Sequence, residues 1–187
     1  VNINLKEMLT FCYDILVSLI HITGDLSKNV KPILNIHSSL ENKVIKTDEV
    51  KLKQAIINLV VNSVKFTKYG NITISAEPFE DKDQKIKDSF KLNYHSFIIK
   101  VTDTGCGFKE DFKDSLLKKL QEKFSNQIDD NDYMNSKGTG FGLFITNSVC
   151  KRLNYNFNFS SSFGVGSAFC IVVNEGYNTF EDIRNKI

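Results

Sequence analysis

Residues 47–70, TDEVKLKQAIINLVVNSVKFTKYG, constrain this chain more than any other stretch, because they place Asn58 and Asn62 inside what reads as an amphipathic helix. Leu52, Ala55, Ile56, Leu59, Val60 and Val64 recur at the three- and four-residue spacing of an apolar face. Gln54, Asn58, Asn62 and Lys65 recur at nearly the same spacing as a separate stripe, so they point together to one neighbouring place. Asparagine costs about 0.7 kcal/mol relative to alanine in a helix interior, and Gln, Glu or Lys would solvate that face at less cost. The stripe is therefore either a solvated flank that tolerates poor helix formers or a surface with something to hold. Thr47 or Asp48 is expected to cap the helix, and Tyr69-Gly70-Asn71 to end it.

Around this stretch, helical and extended patterns interleave without the regular alternation of a doubly wound fold, and no internal repeat is apparent. Residues 5–22 keep a helical period through Leu5, Met8, Leu9, Cys12, Ile15, Leu16, Leu19 and Ile20. Residues 29–32 break it, and Ile33-Leu34-Asn35-Ile36 suits a strand. Residues 72–76 alternate as a half-buried strand, while residues 97–101 read as a more fully buried one. The charged segment 77–94 between them is expected to be a long, mobile, exposed connection. Helical spacing returns over residues 108–124, followed by the polar stretch 125–137, expected to be a flexible loop. Residues 141–153 read as a helix opening from a glycine-rich turn. Residues 156–160 and 168–173 read as strands joined through Phe163-Gly164-Val165-Gly166.

Composition narrows the class. At 187 residues with 41% hydrophobic and 25% charged residues, the chain fits one ordinary domain with a real core. A net charge of +2 provides neither a long basic stripe for nucleic acid nor an acidic tail. Cys12, Cys106, Cys150 and Cys170 lack CxxC spacing and a nearby histidine cluster, which argues against a zinc site or disulfide framework and for a reducing compartment. The apolar run 11–22 is interrupted by Asp14 and is too short for a span of about 20 residues. No signal peptide is visible, and a start at Val1 is compatible with a piece of a longer protein.

Glycine clusters bring chemistry to this frame. Asp103-Thr104-Gly105-Cys106-Gly107 follows directly on the buried strand, so the Asp103 side chain sits at a strand end where a pocket can open. An ionised carboxylate only accepts hydrogen bonds, and beside glycines that admit a planar ligand it selects an exocyclic amine such as that of adenine. A plain Asp-Gly turn is the alternative. Gly138-Thr139-Gly140-Phe141-Gly142-Leu143 opens a helix, whose free N–H groups form an anion site suited to phosphates, although it is not a GxxxxGK[ST] loop. Gly164 and Gly166 read as hairpin residues. Together the pieces describe a nucleotide site, with Asn62 offering a carbonyl oxygen to Mg²⁺ and Lys65 neutralising phosphate charge.

At this point the chain resembles the catalytic, ATP-binding domain of sensor histidine kinases, in the GHKL superfamily that also holds gyrase-type, chaperone and mismatch-repair ATPases. Residues 58–67, NLVVNSVKFT, are similar to the N box, and residues 103–107 to the G1 box. Lys123-Phe124-Ser125 is similar to the F box, and residues 138–143 to the G2 box. The resemblance implies an α+β, Bergerat-type two-layer sandwich, a mixed, mostly antiparallel sheet covered on one face by helices. It implies one domain over residues 1–187, an ATP lid at 125–137 and a C-terminal linker at 174–187. ATP and Mg²⁺ are the implied cofactors, with Asn62 on the metal and Asn58 and Lys65 near the phosphates. Asp103 would sit on the adenine amine with Gly105 and Gly107 beside it, and Gly138, Thr139, Gly140, Gly142 and Leu143 in the lid, whose other end Phe124 anchors.

The implied reaction is transfer of the γ-phosphoryl group to a histidine on a separate dimerisation and phosphoacceptor domain, with a response regulator or receiver domain downstream. No nucleic acid or membrane contact is implied for this domain itself, which would be cytoplasmic even where the full kinase is membrane-bound. Hydrolytic relatives carry a glutamate at the position of Asn58, so this chain favours transfer over hydrolysis; a non-catalytic nucleotide-sensing module is the other alternative. Lys137, Gln121, Ala168 and Leu153-Asn154 depart from the pattern, where a lid glycine, an aromatic, a hydroxyl residue and a Gly-Gly turn are usual. His21, His37 and His95 are followed by Ile22, Ser38 and Ser96 rather than an acid, so the acceptor histidine is expected outside this chain.

Overall fold

The helical period of residues 5–22 is realised in full as α1 (Leu5–Ile22), which follows the short strand β1 (Asn2–Asn4) and buries Leu5, Met8, Leu9, Cys12 and Leu16. In this computed structural model residues 1–22, 29–78, 96–122 and 141–174 are described. After α1 come β2 (Asn29–Ile36), a single 3-10 turn (Ser38–Leu40), β3 (Val44–Lys46) and α2 (Glu49–Phe66). The order is completed by β4 (Tyr69–Pro78), β5 (Phe97–Asp103), α3 (Glu110–Glu122), α4 (Phe141–Arg152), β6 (Asn156–Ser162) and β7 (Gly166–Val173).

The main sheet has five strands in the order β2-β4-β5-β7-β6, with β2 parallel to β4 and every other pair antiparallel. Strand alternation sends Ile72, Ile74 and Ala76 of β4, Phe97, Ile99 and Val101 of β5, and Phe169, Ile171 and Val173 of β7 into the core. There they meet Leu52, Ala55, Ile56, Leu59 and Val60 of α2, flanked by α1 and α4. The opposite face mixes polar and apolar residues, with Ile98 beside Val172, and on it the Lys100 ammonium pairs with the Glu77 carboxylate. The architecture is thus the expected α+β sandwich with a mixed, mostly antiparallel sheet. No described helix is long and apolar enough to cross a membrane.

Several boundaries differ from the sequence reading. Asp48 is the cap of α2, its carboxylate accepting the Lys51 N–H at 3.1 Å. The helix stops at Phe66 rather than near Gly70, because Thr67 is extended and Tyr69 already pairs with Asn29 in the sheet. Gly70 does have positive φ, +99°, but inside β4, where an added Cβ would stand 2.1 Å from the Thr104 hydroxyl that donates to the Tyr69 carbonyl. Residues 29–32 are not a break: they form the first half of β2, where Pro32 is tolerated because an edge strand leaves one row of backbone groups unpaired. β1 and β3 pair as a separate two-stranded sheet that is too short to show periodicity in sequence. Asn154 takes the left-handed conformation, φ 58°, at the end of α4, a role in which asparagine replaces glycine at modest cost. The connection expected at 77–94 leaves β4 at Pro78, and its remainder, the loop at 125–137 and the tail beyond Asn174 lie outside the described residues.

Since Leu59 is fully buried and Val61 is 44% exposed on the same helix, Leu59→Ala is expected to cost about 2–5 kcal/mol. Val61→Ala should stay within about 0.5 kcal/mol of the parent. Urea titration of both variants checks the orientation of α2, and equal losses would contradict it.

Candidate functional site

Asp103 is the last residue of β5, and strand alternation turns its side chain to the helix-covered face, directly opposite Ser167 of β7. Two elements grip its carboxylate. Oδ1 accepts the Gly105 N–H at 2.9 Å, and Oδ2 accepts the hydroxyl of Ser63, on α2, at 3.0 Å. Burial pushes the Asp103 carboxyl above its ordinary range, opposed by hydrogen bonds from Gly105, Ser63 and the backbone of Ser167.

The turn after Asp103 is built by close backbone approach. A Cβ on Gly105 would lie 2.6 Å from the Phe66 carbonyl, 2.8 Å from Asp103 Oδ1 and 2.9 Å from Thr67 Oγ1. Gly107, at φ +64°, leaves no room beside the Ser162 carbonyl, 2.0 Å from where a Cβ would stand. Gly166 is more than a hairpin residue, because a Cβ there would stand 2.0 Å from the Asp103 carbonyl. Ser161 ties the turn to β6 and β7: its hydroxyl accepts the Phe108 N–H at 2.8 Å and lies 3.1 Å from the Gly166 carbonyl.

The polar stripe of α2 divides by burial. Gln54 and Lys65 are exposed, with Lys65 Nζ 5.0 Å from the Phe66 ring centre, whereas Asn58 and Asn62 are half-buried. The first turn of α4 comes against this stripe, and a Cβ on Gly142 would be 3.1 Å from Asn62 Nδ2. One turn on, the buried Thr146 hydroxyl donates to the Ala55 carbonyl at 3.3 Å, and Leu143 is buried in the core. Two buried side-chain polar atoms among the described residues have no hydrogen-bond partner, Asn58 Nδ2 and Thr67 Oγ1. Each such atom costs about 1–3 kcal/mol unless something else satisfies it.

Asn58, Asn62, Asp103, Gly105, Gly107, Gly142 and Leu143 thus belong to one end of the molecule, and Lys65 lies exposed at its edge. Phe124, Gly138, Thr139 and Gly140 lie outside the described residues. Sequence reasoning assigned no role to Ser63, Thr67 or Ser167. The available signal was Ser63 itself, a hydroxyl in an otherwise apolar helical slot four residues after Leu59. Ala168, where a hydroxyl is usual, pairs with Thr102, and the hydroxyl residue opposite Asp103 is Ser167. Two open cavities lie elsewhere: about 900 Å³ by Lys46, Asp48 and Arg152, and about 450 Å³ by Leu117, Lys151 and Phe159. Neither is lined by Asp103, Asn58 or Asn62, and the candidate site is argued from its convergent polar chemistry.

An acid whose folded pKa exceeds its unfolded value, about 3.9, adds most to stability below that value and loses the contribution as pH rises through the folded pKa. Asp103→Asn keeps an acceptor for the Gly105 N–H and removes the buried charge. It is therefore expected to melt at or above the parent temperature at pH 7, with any advantage gone below about pH 4. A thermal-melt series across pH checks this, and a variant clearly less stable at pH 7 would contradict it.

Comparison with known proteins bears on the family and the fold. A profile of the family described as histidine kinase-, DNA gyrase B-, and HSP90-like ATPase matches residues 47–176. Hybrid signal transduction histidine kinase B of Dictyostelium discoideum is 33% identical over 131 residues, 70% of this chain and 6% of that protein. Signal transduction histidine-protein kinase BarA of Escherichia coli (strain K12) is 30% identical over 165 residues, 88% of this chain and 16% of that protein. The chain therefore spans a small part of these relatives. Among solved structures, a nucleotide-free catalytic domain of histidine kinase ThkA matches with TM-score 0.63 at 19% identity, over 94% of this chain and 95% of that one. Full-length ShkA in complex with AMPPNP matches with TM-score 0.62 at 18% identity, over 92% of this chain and 30% of that one. At such identities the structural likeness establishes the fold, and the family profile and the sequence relatives carry the assignment. The chain belongs to the histidine kinase-, DNA gyrase B- and HSP90-like ATPase family, within which its sequence is similar to that of sensor histidine kinases.

Proposed function

We propose that this chain binds Mg-ATP at the Asp103 end of β5 and donates the γ-phosphoryl group to a histidine on a separate dimerisation and phosphoacceptor domain of the same full-length protein. A response regulator or receiver domain would act downstream. The observation that supports this reading best is the pairing of a carboxylate held by Ser63 and Gly105 with two buried polar atoms, Asn58 Nδ2 and Thr67 Oγ1, that have no partner among the described residues.

Each residue type suits its role. A carboxylate has about four lone-pair sites, so Asp103 retains acceptor capacity for the adenine amine after taking Gly105, Ser63 and the Ser167 backbone. The missing Cβ of Gly105 lets its backbone lie close to Asp103 and Thr67. The Asn58 amide donates, which suits a phosphate oxygen, and the Asn62 amide can turn its carbonyl oxygen to Mg²⁺. Among the described residues no group of three or more His, Cys, Asp or Glu could hold a metal ion. One amide oxygen fits a cation that brings phosphate and water ligands of its own. Lys65 adds positive charge at the edge, and the start of α4, with Gly142 and Leu143, offers N–H groups to phosphate. Phe124, Gly138, Thr139 and Gly140 enter the proposed site from sequence alone, as does the lid at 125–137 within one domain of residues 1–187. Bound Mg-ATP supplies the reacting phosphoryl group; the chain's own part is orientation and charge neutralisation, on which in-line transfer mainly relies. Asn58 is an amide and takes no proton from water, so donation to a histidine is favoured over hydrolysis.

Titration with an ATP analogue should show binding that strengthens with Mg²⁺. Asp103→Asn, whose amide presents a donor where the base needs an acceptor, should weaken it about 10- to 100-fold. Binding untouched by this substitution would sink the reading of the base. Supplied with a histidine phosphoacceptor domain and labelled ATP, the chain should label that domain, whereas steady phosphate release without acceptor would favour a hydrolase.

A further inference from the structure

The larger of the two open cavities, about 900 Å³, is walled by β3, the first turn of α2, the end of α4 and the end of β7. Ser63, which holds Asp103, stands in the last turn of that 18-residue helix, so the cavity and the candidate site lie at opposite ends of α2.

The lining carries an apolar patch and a surplus of positive charge. Val44 of β3 and Val50 of α2 both line the cavity and are 55% and 77% exposed. Its two acids are already paired, Asp48 with Lys51 at 3.0 Å and Glu49 with Lys53 at 2.7 Å. Lys46 and Arg152 line it without an ion pair among the described residues.

The residues that come next in the sequence match both features. Asn174 is part of the lining, and its Oδ1 accepts the Ser96 hydroxyl at 3.2 Å, which fixes where β7 hands the chain on. Residues 175–187, EGYNTFEDIRNKI, therefore start at the rim of the cavity. Within them Tyr177, Phe180, Ile183 and Ile187 recur at helical spacing as one apolar stripe, which a solvated linker has no use for. The acids Glu175, Glu181 and Asp182 outnumber the bases Arg184 and Lys186. As a helix the segment would be about 20 Å long. That exceeds the width of a compact cavity of this volume, so a segment starting at the rim reaches every wall.

We propose that residues 175–187 fold back over this cavity as an amphipathic helix, laying their apolar stripe on Val44 and Val50 and their acids toward Lys46 and Arg152. The segment is then a cover built into the domain rather than a free linker. This docking does not depend on the nucleotide reading.

Hydrogen–deuterium exchange of the intact chain, read by mass spectrometry, tests the docking. Amides of residues 177–187 should exchange about tenfold or more slowly than in a free synthetic peptide of residues 175–187. Val44→Asp combined with Val50→Asp, at two exposed positions, should abolish that protection while β5 and β7 exchange as in the parent. Phe180→Asp should abolish it too and speed exchange over residues 44–51. Peptide-like exchange of the segment in the parent overturns the proposal. Protection that survives the paired valine substitutions also overturns it, because the segment then docks elsewhere. Unchanged exchange over residues 44–51 in Phe180→Asp does the same, whether or not the valine variant folds. Protection that fades on dilution would assign the cavity to the tail of a second copy and overturns docking within one chain.

Discussion

The hydrogen bond from Ser63 to Asp103 joins residues 40 positions apart and ties the last turns of α2 to the end of β5. The rest of the candidate site depends on that contact. It holds only because Leu52, Ala55, Ile56, Leu59 and Val60 press α2 onto the sheet, a burial worth roughly 25 cal/mol for each Å² of apolar surface removed from water. The apolar face thus does the docking, and the stripe beside it is delivered to the strand end as a by-product of helical geometry.

Backbone crowding does the complementary job. Gly105, Gly107 and Gly166 each occupy a place where a methyl group would strike a carbonyl or the Asp103 carboxylate. The G1-like turn is consequently pressed between the end of α2 and the β6–β7 hairpin, which is why Asp103 keeps one orientation although it is the last residue of its strand. Ser161 and Ser167 finish the support from behind, with their hydroxyls 3.0 Å apart.

This end of the molecule is also where local stability is given up. A carboxyl is half-buried against its preference for water, and an asparagine amide and a threonine hydroxyl are buried without partners. At about 1–3 kcal/mol for each unsatisfied group, such concessions are uncommon in an otherwise well-packed domain and gather where a ligand repays them. The solvent-facing β-sheet surface, with its Lys100–Glu77 pair, shows no such tension.

The elements with long, strong periods were legible in the sequence: α1, the body of α2, β4, β5, α4 and the β6–β7 hairpin; Asp103, Asn58, Asn62 and the glycines were legible as candidates by their residue chemistry. What was not legible shares a physical cause. Pro32 reads as a breaker, yet β2 runs through it because an edge strand needs no N–H there. Gly70 reads as a helix end, yet the sheet claims Tyr69 first, and its positive φ makes room for Thr104. Ser63 and Ser167 look like ordinary small residues until strand register and helix docking set them beside Asp103. By itself, then, the sequence determined the apolar faces and the kinds of polar groups offered, because periodicity and residue chemistry are local. Which of those groups meet, which are left without partners, and how little space surrounds them was decided only by the tertiary structure, since these depend on contacts between residues far apart in the chain.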